Sequence, residues 1–228
     1  VKNRSLFITS LLISIILLPS CRERSNRNMR EGEIFYSIKY IRNPSSLPKD
    51  LLPRELTISF RNDLFRTELH APFGNTGITT VINPKEGIYD TYLNMLSFKY
   101  YFRGCSDDIQ PGFSAMNGIT FRETGKKSEI CGLSCHQLEV LLPGSKSVRY
   151  VWYTNEINVE NPNRMTPYRE IDGVLMDFFY IIGDAELQFI ADEVFVREIP
   201  DKNFEKKKNY REVSGGYLDS LILKMIAF

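Results

Sequence analysis

The sequence predicts a mainly β domain of the α+β class: a single curved antiparallel sheet or half-barrel with one or two helices, the last of them C-terminal. Three observations predict it. From Glu33 to about Arg197 apolar residues recur with period two, the mark of half-buried strands with one wet face. Clusters of Gly, Pro, Asn and Asp punctuate these runs. The 228 residues also include 12 Tyr, 15 Phe and 11 Pro, which favour strands and turns.

In chain order, Ile34, Tyr36, Ile38 and Tyr40 alternate with less apolar neighbours and form a first strand. Leu56, Ile58 and Phe60 alternate with Glu55, Thr57, Ser59 and Arg61 and form a second, ended by the turn Arg61-Asn62-Asp63. Residues 79–82 and 88–92 flank Asn83-Pro84-Lys85-Glu86-Gly87 and read as a hairpin. Phe98, Tyr100 and Phe102 share one parity of the next strand. A short helix over 107–116 is weakened by Pro111 and Gly112. Strands follow over 139–142, 148–154, 175–182 and 186–197. The last changes parity between Leu187, Phe189, Ala191 and Val194, Val196, which requires a bulge near Asp192. About nine strands result. After Gly215-Gly216, residues Leu218, Leu221, Ile222, Met225 and Ile226 fall on one face of a helix over 217–227 that closes the open face of the sheet.

Composition excludes several classes. Apolar residues make up 43% and charged residues 25%, as in globular domains. A net charge of +1 offers no field for nucleic acid. No phosphate-cradling loop or dinucleotide fingerprint occurs, and Gly112-Phe113-Ser114-Ala115-Met116 lacks the last glycine of a nucleophile elbow. No nucleophile, base and orienter assemble, so no catalytic residue, metal or cofactor is assigned and the chain reads as non-enzymatic.

At the N terminus Lys2 and Arg4 precede an apolar run over 6–18, too short to span ~30 Å of hydrocarbon, followed by Pro19-Ser20-Cys21. This is a secretory signal over 1–20. Leu18-Pro19-Ser20-Cys21 resembles a bacterial lipobox, which implies lipidation of Cys21 and a membrane anchor of two or three acyl chains. Residues 21–30 form a polar tether, and residues 31–228 form the β-rich domain. Arg22 at the sorting position implies the outer membrane, and the lack of an acidic run after Cys21 favours the periplasmic side.

Between Ser128 and Pro200 the order of features resembles the GLPGLI family of Bacteroidetes exported proteins. Ile130-Cys131-Gly132 and Cys135 precede Trp152-Tyr153-Thr154-Asn155-Glu156-Ile157, Pro162 and Glu170-Ile171-Asp172-Gly173-Val174-Leu175. Gly173 and the apolar pair after it keep the naming motif; Glu170 and Asp172 depart from it. That family is similar in outline to the lipoprotein carriers LolA and LolB, and the resemblance implies a half-barrel holding acyl chains. A concave aromatic sheet face under a helix is also the usual form of an apolar ligand site. The lining candidates are Phe98, Tyr100, Phe102, Tyr150, Trp152 and Phe189. The expected partner is a lipid or other apolar small molecule. The alternative is an envelope protein, for which the chain would be an accessory module using a sheet edge.

In an oxidising compartment Cys105, Cys131 and Cys135 are disulfide candidates. Cys131-x-x-x-Cys135-His136 is one residue too long for haem attachment, and His70 is the only other histidine for a zinc set. Lys206-Lys207-Lys208 with Arg211 is a solvated basic run, with phospholipid headgroups as its functional reading.

Overall fold

The computed structural model describes residues 29–46, 48–72, 74, 76–145 and 147–227, the side chains of Lys49 and Ala227 excepted. The secretory signal expected over 1–20, the expected lipidation site Cys21 and the expected tether up to residue 28 lie outside them. Met29 and Arg30 already engage the domain: Met29 bridges Ile157, and the Arg30 carbonyl accepts the Asn62 amide.

Twelve strands form one sheet among the described residues. They are β1 (Glu31–Arg42), β2 (Glu55–Arg61), β3 (Leu64–His70), β4 (Thr76–Asn83), β5 (Ile88–Met95), β6 (Phe98–Arg103), β7 (Thr120–Ile130), β8 (Leu133–Leu141), β9 (Val148–Thr154), β10 (Val174–Ile182), β11 (Ala185–Phe195) and β12 (Arg211–Glu212). Among the described residues one α-helix, α1 (Gly215–Ala227), follows them. The spatial order is β12-β6-β5-β4-β3-β2-β1-β11-β10-β9-β8-β7. Strands β1 to β6 therefore meander outward from the centre. The chain then crosses to the far edge and meanders back through β7 to β11, until β11 pairs antiparallel with β1. Among these twelve strands only β12 and β6 pair in parallel.

The mainly β, single curved antiparallel sheet with a C-terminal helix is the architecture expected, with more strands than nine. The hairpin of β4 and β5 turns at 84–87, where Gly87 takes the left-handed φ of 63°. The bulge falls on Asp192: Phe35 faces Glu193 and Tyr36 faces Ala191, leaving Asp192 without a partner. Helix 217–227 gains two residues at its start. The helix expected over 107–116 does not form; this stretch is irregular, with a 3-10 turn at Ser114–Met116. Pro111 removes an amide donor, and Gly112 adopts φ 105°. The segment is instead the start of the crossing from β6 to β7, and buries Phe113 and Met116.

Strand parity defines an inner and an outer face. Ile34, Tyr36, Phe60, Phe65, Ile82, Leu93, Phe178 and Phe189 point inward into the main core, against the crossing segment 104–119, the connection 155–173 and α1. Leu64 points outward, where the connection between β11 and β12 lays Ile199 and Phe204 over it. The outer face of β4 and β5 carries a smaller cluster of Val81, Ile88 and Tyr92 with Tyr101 and Tyr210. Among the described residues no helix is long and apolar enough to cross a membrane.

Candidate functional site

The inner face is filled unevenly. Over β10 and β11 it is dense with rings: Phe178 stacks on Phe189 at 5.1 Å, Tyr36 meets Phe178 edge-on at 5.5 Å, and Phe113 stacks on Tyr180 at 4.2 Å. The buried hydroxyls find carbonyls, Tyr36 on Leu175 and Tyr168 on Phe179. Burial pushes both phenols well above their ordinary pKa, so they remain neutral donors.

Over β1 to β4 the face is not filled. A cavity of about 80 Å³ is walled by Ile34, Ile58, Phe65, Leu69, Ile78 and Ile82 from these strands, and by Phe178, Ile182 and Phe189 from the far side. Pro111 and Phe113 of the crossing segment and Ile222 of α1 roof it. A second cavity of about 80 Å³ lies between Tyr40, Leu52, Pro53, Ala71, Thr76, Leu187 and the last turn of α1, at Met225 and Ile226. Leu69, Ile78 and Ile182 line both, so the two adjoin. Each exceeds several-fold the ~10–15 Å³ that admits one water. Apolar walls of this kind favour an apolar guest over water.

Small side chains and the seat of α1 explain the space. Residues Thr67, Thr80 and Gly77 supply little volume, while α1 cannot settle deeper because its first turn rests on β6. There a Cβ on Gly215 would lie 3.2 Å from the Phe102 ring, and Tyr217 meets Tyr100 edge-on at 5.9 Å. Asp219 of α1 accepts the Gly112 amide at 2.7 Å, tying the helix to the crossing segment.

Most polar groups at the first cavity are committed to structure. Asn163 donates to the carbonyls of Ile171 and Gly173 at 2.8 and 2.9 Å. The Thr166 hydroxyl donates to the Asn163 carbonyl, and the Thr80 hydroxyl to Gln110 Oε1. Arg164 differs: its guanidinium lies 5.9 Å over the Tyr89 ring, with Nη1 3.4 Å from the Tyr89 hydroxyl.

Of the six aromatic residues read from the sequence, Phe189 lines the cavity. Phe98, Tyr100 and Phe102 share the inner parity, but Tyr100 and Phe102 carry the start of α1 and Phe98 stands 55% exposed at the hairpin tip. Tyr150 and Trp152 take the parity opposite to buried Val151, facing Glu139 and Gln137; Tyr150 is exposed, Trp152 packs partly buried against the main core, and neither lines the cavity. Cys105, Cys131 and Cys135 are free thiols. Cys131 and Gly132, both with left-handed φ, form the two-residue turn between β7 and β8, and the Cys131 thiol points at the Ala191 carbonyl. His70 on β3 bonds Thr79 and His136 on β8 lies against Tyr153, with five strands between. Among the described residues no group of three His, Cys, Asp or Glu could hold a metal. Lys207, from the basic run, is half-buried and donates to Thr79 at 2.8 Å.

The residues that matter at the cavity but were not singled out are Ile78, Gln110 and Arg164. Pro162-Asn163-Arg164 carries only the signature of a loop, and nothing local to Ile78 distinguishes it from other strand residues. Met225 belongs to the apolar stripe of the helix, the one signal that pointed here.

Neither a family model nor a curated protein matches the sequence. Among solved structures, that of PNGF-II aligns with a TM-score of 0.52 at 14% identity, over 85% of this chain and 32% of that one. The likeness is one of fold, and the chain spans about a third of the length of that protein. The crystal structure of LprF from Mycobacterium bovis aligns over 78% of this chain and 92% of that one, at 9% identity and a TM-score of 0.28, and carries no argument.

Proposed function

We propose that this chain is a non-catalytic lipoprotein of the bacterial envelope that holds a lipid or similar apolar ligand between its sheet and α1. The adjoining apolar cavities on the inner face carry the proposal. A closed core packs to crystal-like density and leaves few voids; here two voids share a wall beneath an amphipathic helix. The lipobox-like segment at Cys21, the signal over 1–20, the tether over 21–30 and a domain over 31–228 fit a periplasm-facing outer-membrane anchor. The resemblance to GLPGLI proteins, similar in outline to LolA and LolB, supports the same reading. That Thr80, Asn163 and Thr166 spend their polar groups on the fold speaks for holding over chemistry.

The reading as an accessory module would need a sheet edge open to a partner. The edge strand β7 carries Arg122, Lys126 and Lys127 and is bent by a bulge with Gly125 at φ 72°, features that oppose strand addition.

Native mass spectrometry of the chain purified from a bacterial envelope, followed by lipid extraction, tests the proposal. A stoichiometric extra mass that extracts as lipid is expected, and Ile78→Trp, which fills the shared wall, should abolish it. A clean apo mass that does not change with added phospholipid or fatty acid would overturn it.

A further inference from the structure

We propose that Arg164 and Gln110 form the head-group end of the first cavity, so that its ligand is a single-chain amphiphile bearing an oxyanion, such as a fatty carboxylate. The proposal rests on the apolar-ligand reading and names the chemical class of that ligand.

The charge comes first. Arg164 is half-buried and lines an apolar cavity. Arg66 and Arg149, similarly half-buried, each hold a carboxylate, at 2.7 Å from Glu68 and from Glu186. No carboxylate lies within ion-pair distance of Arg164 among the described residues; its neighbour is the neutral ring of Tyr89. A partly desolvated cation beside apolar walls is costly unless an anion joins it. Lying over a ring face leaves donors on the edge of the guanidinium plane available, the geometry that matches a carboxylate or phosphate.

A second donor converges on the same place. Gln110 also lines the cavity. Its Oε1 is taken by the Thr80 hydroxyl, which leaves its amide nitrogen as the donor. The Gln110 backbone amide donates to the Met165 carbonyl at 2.9 Å, so the loops bearing Gln110 and Arg164 are joined next to both side chains.

The backbone around Arg164 is held in an unusual shape. Asn161 and Met165 have φ of 48° and 63°, and Met165 is only 1% exposed. A buried methionine in the left-handed region is strained and persists only where its surroundings impose it. Here that conformation brings Arg164 to the cavity. From this polar end the apolar space continues past Leu69, Ile78 and Ile182 to Met225 and Ile226. Two donors at one end and an apolar slot beyond them fit a head and a tail.

The test titrates decanoate, decyl phosphate and decanol into the full chain held in amphipol, with Arg164→Gln alongside. Decanoate should bind at least about tenfold more tightly than decanol, the worth of one charged hydrogen bond. Arg164→Gln should bring decanoate to the level of decanol and leave decanol unchanged. Should that variant not fold, Gln110→Leu serves instead and should weaken decanoate severalfold but not decanol. Whichever of decanoate and decyl phosphate binds more tightly identifies the head as a carboxylic acid or a phosphate ester, and either supports the oxyanion class. Equal binding of decanoate and decanol, or no effect of Arg164→Gln, would overturn the proposal while leaving the apolar-ligand reading intact. Failure of all three probes to bind the wild-type chain would remove that reading too.

Discussion

The three described thiols occupy three environments, and their chemistry should separate accordingly. Cys135 is fully buried, and desolvation pushes its pKa up to about 11. Cys131 is raised too, first by burial and then by Asp192 and Glu193. Cys105 is exposed in the loop after β6. Timed alkylation at pH 8 with peptide mass mapping should therefore modify Cys105 well before Cys135; equal rates would contradict this placement. The shift also has a sign. A folded thiol with a raised pKa contributes stability that is fully present below the unfolded value of ~8.5 and is lost as pH rises towards about 11. Urea midpoints should thus fall across that window, and less so in Cys135→Ala when each protein is compared with its own value at pH 8. Sterics act as sharply at Gly32, where a Cβ would lie 2.1 Å from the Phe195 carbonyl oxygen, in the backbone of the neighbouring strand. Gly32→Ala should cost about 1–3 kcal/mol in chemical denaturation, the range for overpacking.

Among the elements, α1 governs access to the cavities. Leu218 and Ile222 are fully buried, while Met225 and Ile226 only partly so, which makes the C-terminal turn the looser end. The hydrogen bond from the Gly112 amide to Asp219 is the tie that joins helix and crossing segment. Asp219→Ala should cost about 1–3 kcal/mol. It should also raise hydrogen exchange in α1 while the central strands β1 and β11 stay protected; unchanged exchange in α1 would show that the stripe alone holds the helix. Legibility in the sequence varied with how local the cause was. The hairpin at 84–87 was readable because Asn83, Pro84 and Gly87 each fit their own backbone position. The bulge at Asp192 was readable because parity must change wherever one residue is added. Strand β7 was missed, since an edge strand of Arg, Glu, Thr and Lys with a glycine bulge shows no apolar alternation. The crossing segment was misread as a helix because its apolar residues answer to the sheet it covers and have no helical period.

For the whole molecule, the decisive pairing is β1 with β11, which joins residues such as Tyr36 and Ala191 far apart in sequence. Both meanders can form from neighbouring strands, but the single sheet exists only once they meet at its centre. Such non-local closure is slow, and refolding from urea should proceed in milliseconds to seconds. Stopped-flow fluorescence of Trp152 on β9 would follow one half of the sheet, and a complete signal within microseconds would be incompatible with this topology. The same closure creates the cavity. Its walls come from β1 to β4 on one side and β10 and β11 on the other, with the crossing segment and α1 as the roof.

By itself the sequence determined the class of fold, the mainly β single sheet, the turn at 84–87, the bulge near Asp192 and the amphipathic C-terminal helix. Each follows from interactions between residues near one another in the chain: parity, turn preference and helical period. It also named Phe189, the one aromatic candidate that reaches the cavity. Only the tertiary structure decided which face Tyr150 and Trp152 take, that Phe98 stands in the open, and that Arg164 and Gln110 stand at one end of an unfilled space. These depend on strand register and on segments that cross the sheet. Both are settled by contacts between separate elements, as of Gln110 with Met165 and of Arg164 with Tyr89, which the local pattern around each residue does not encode.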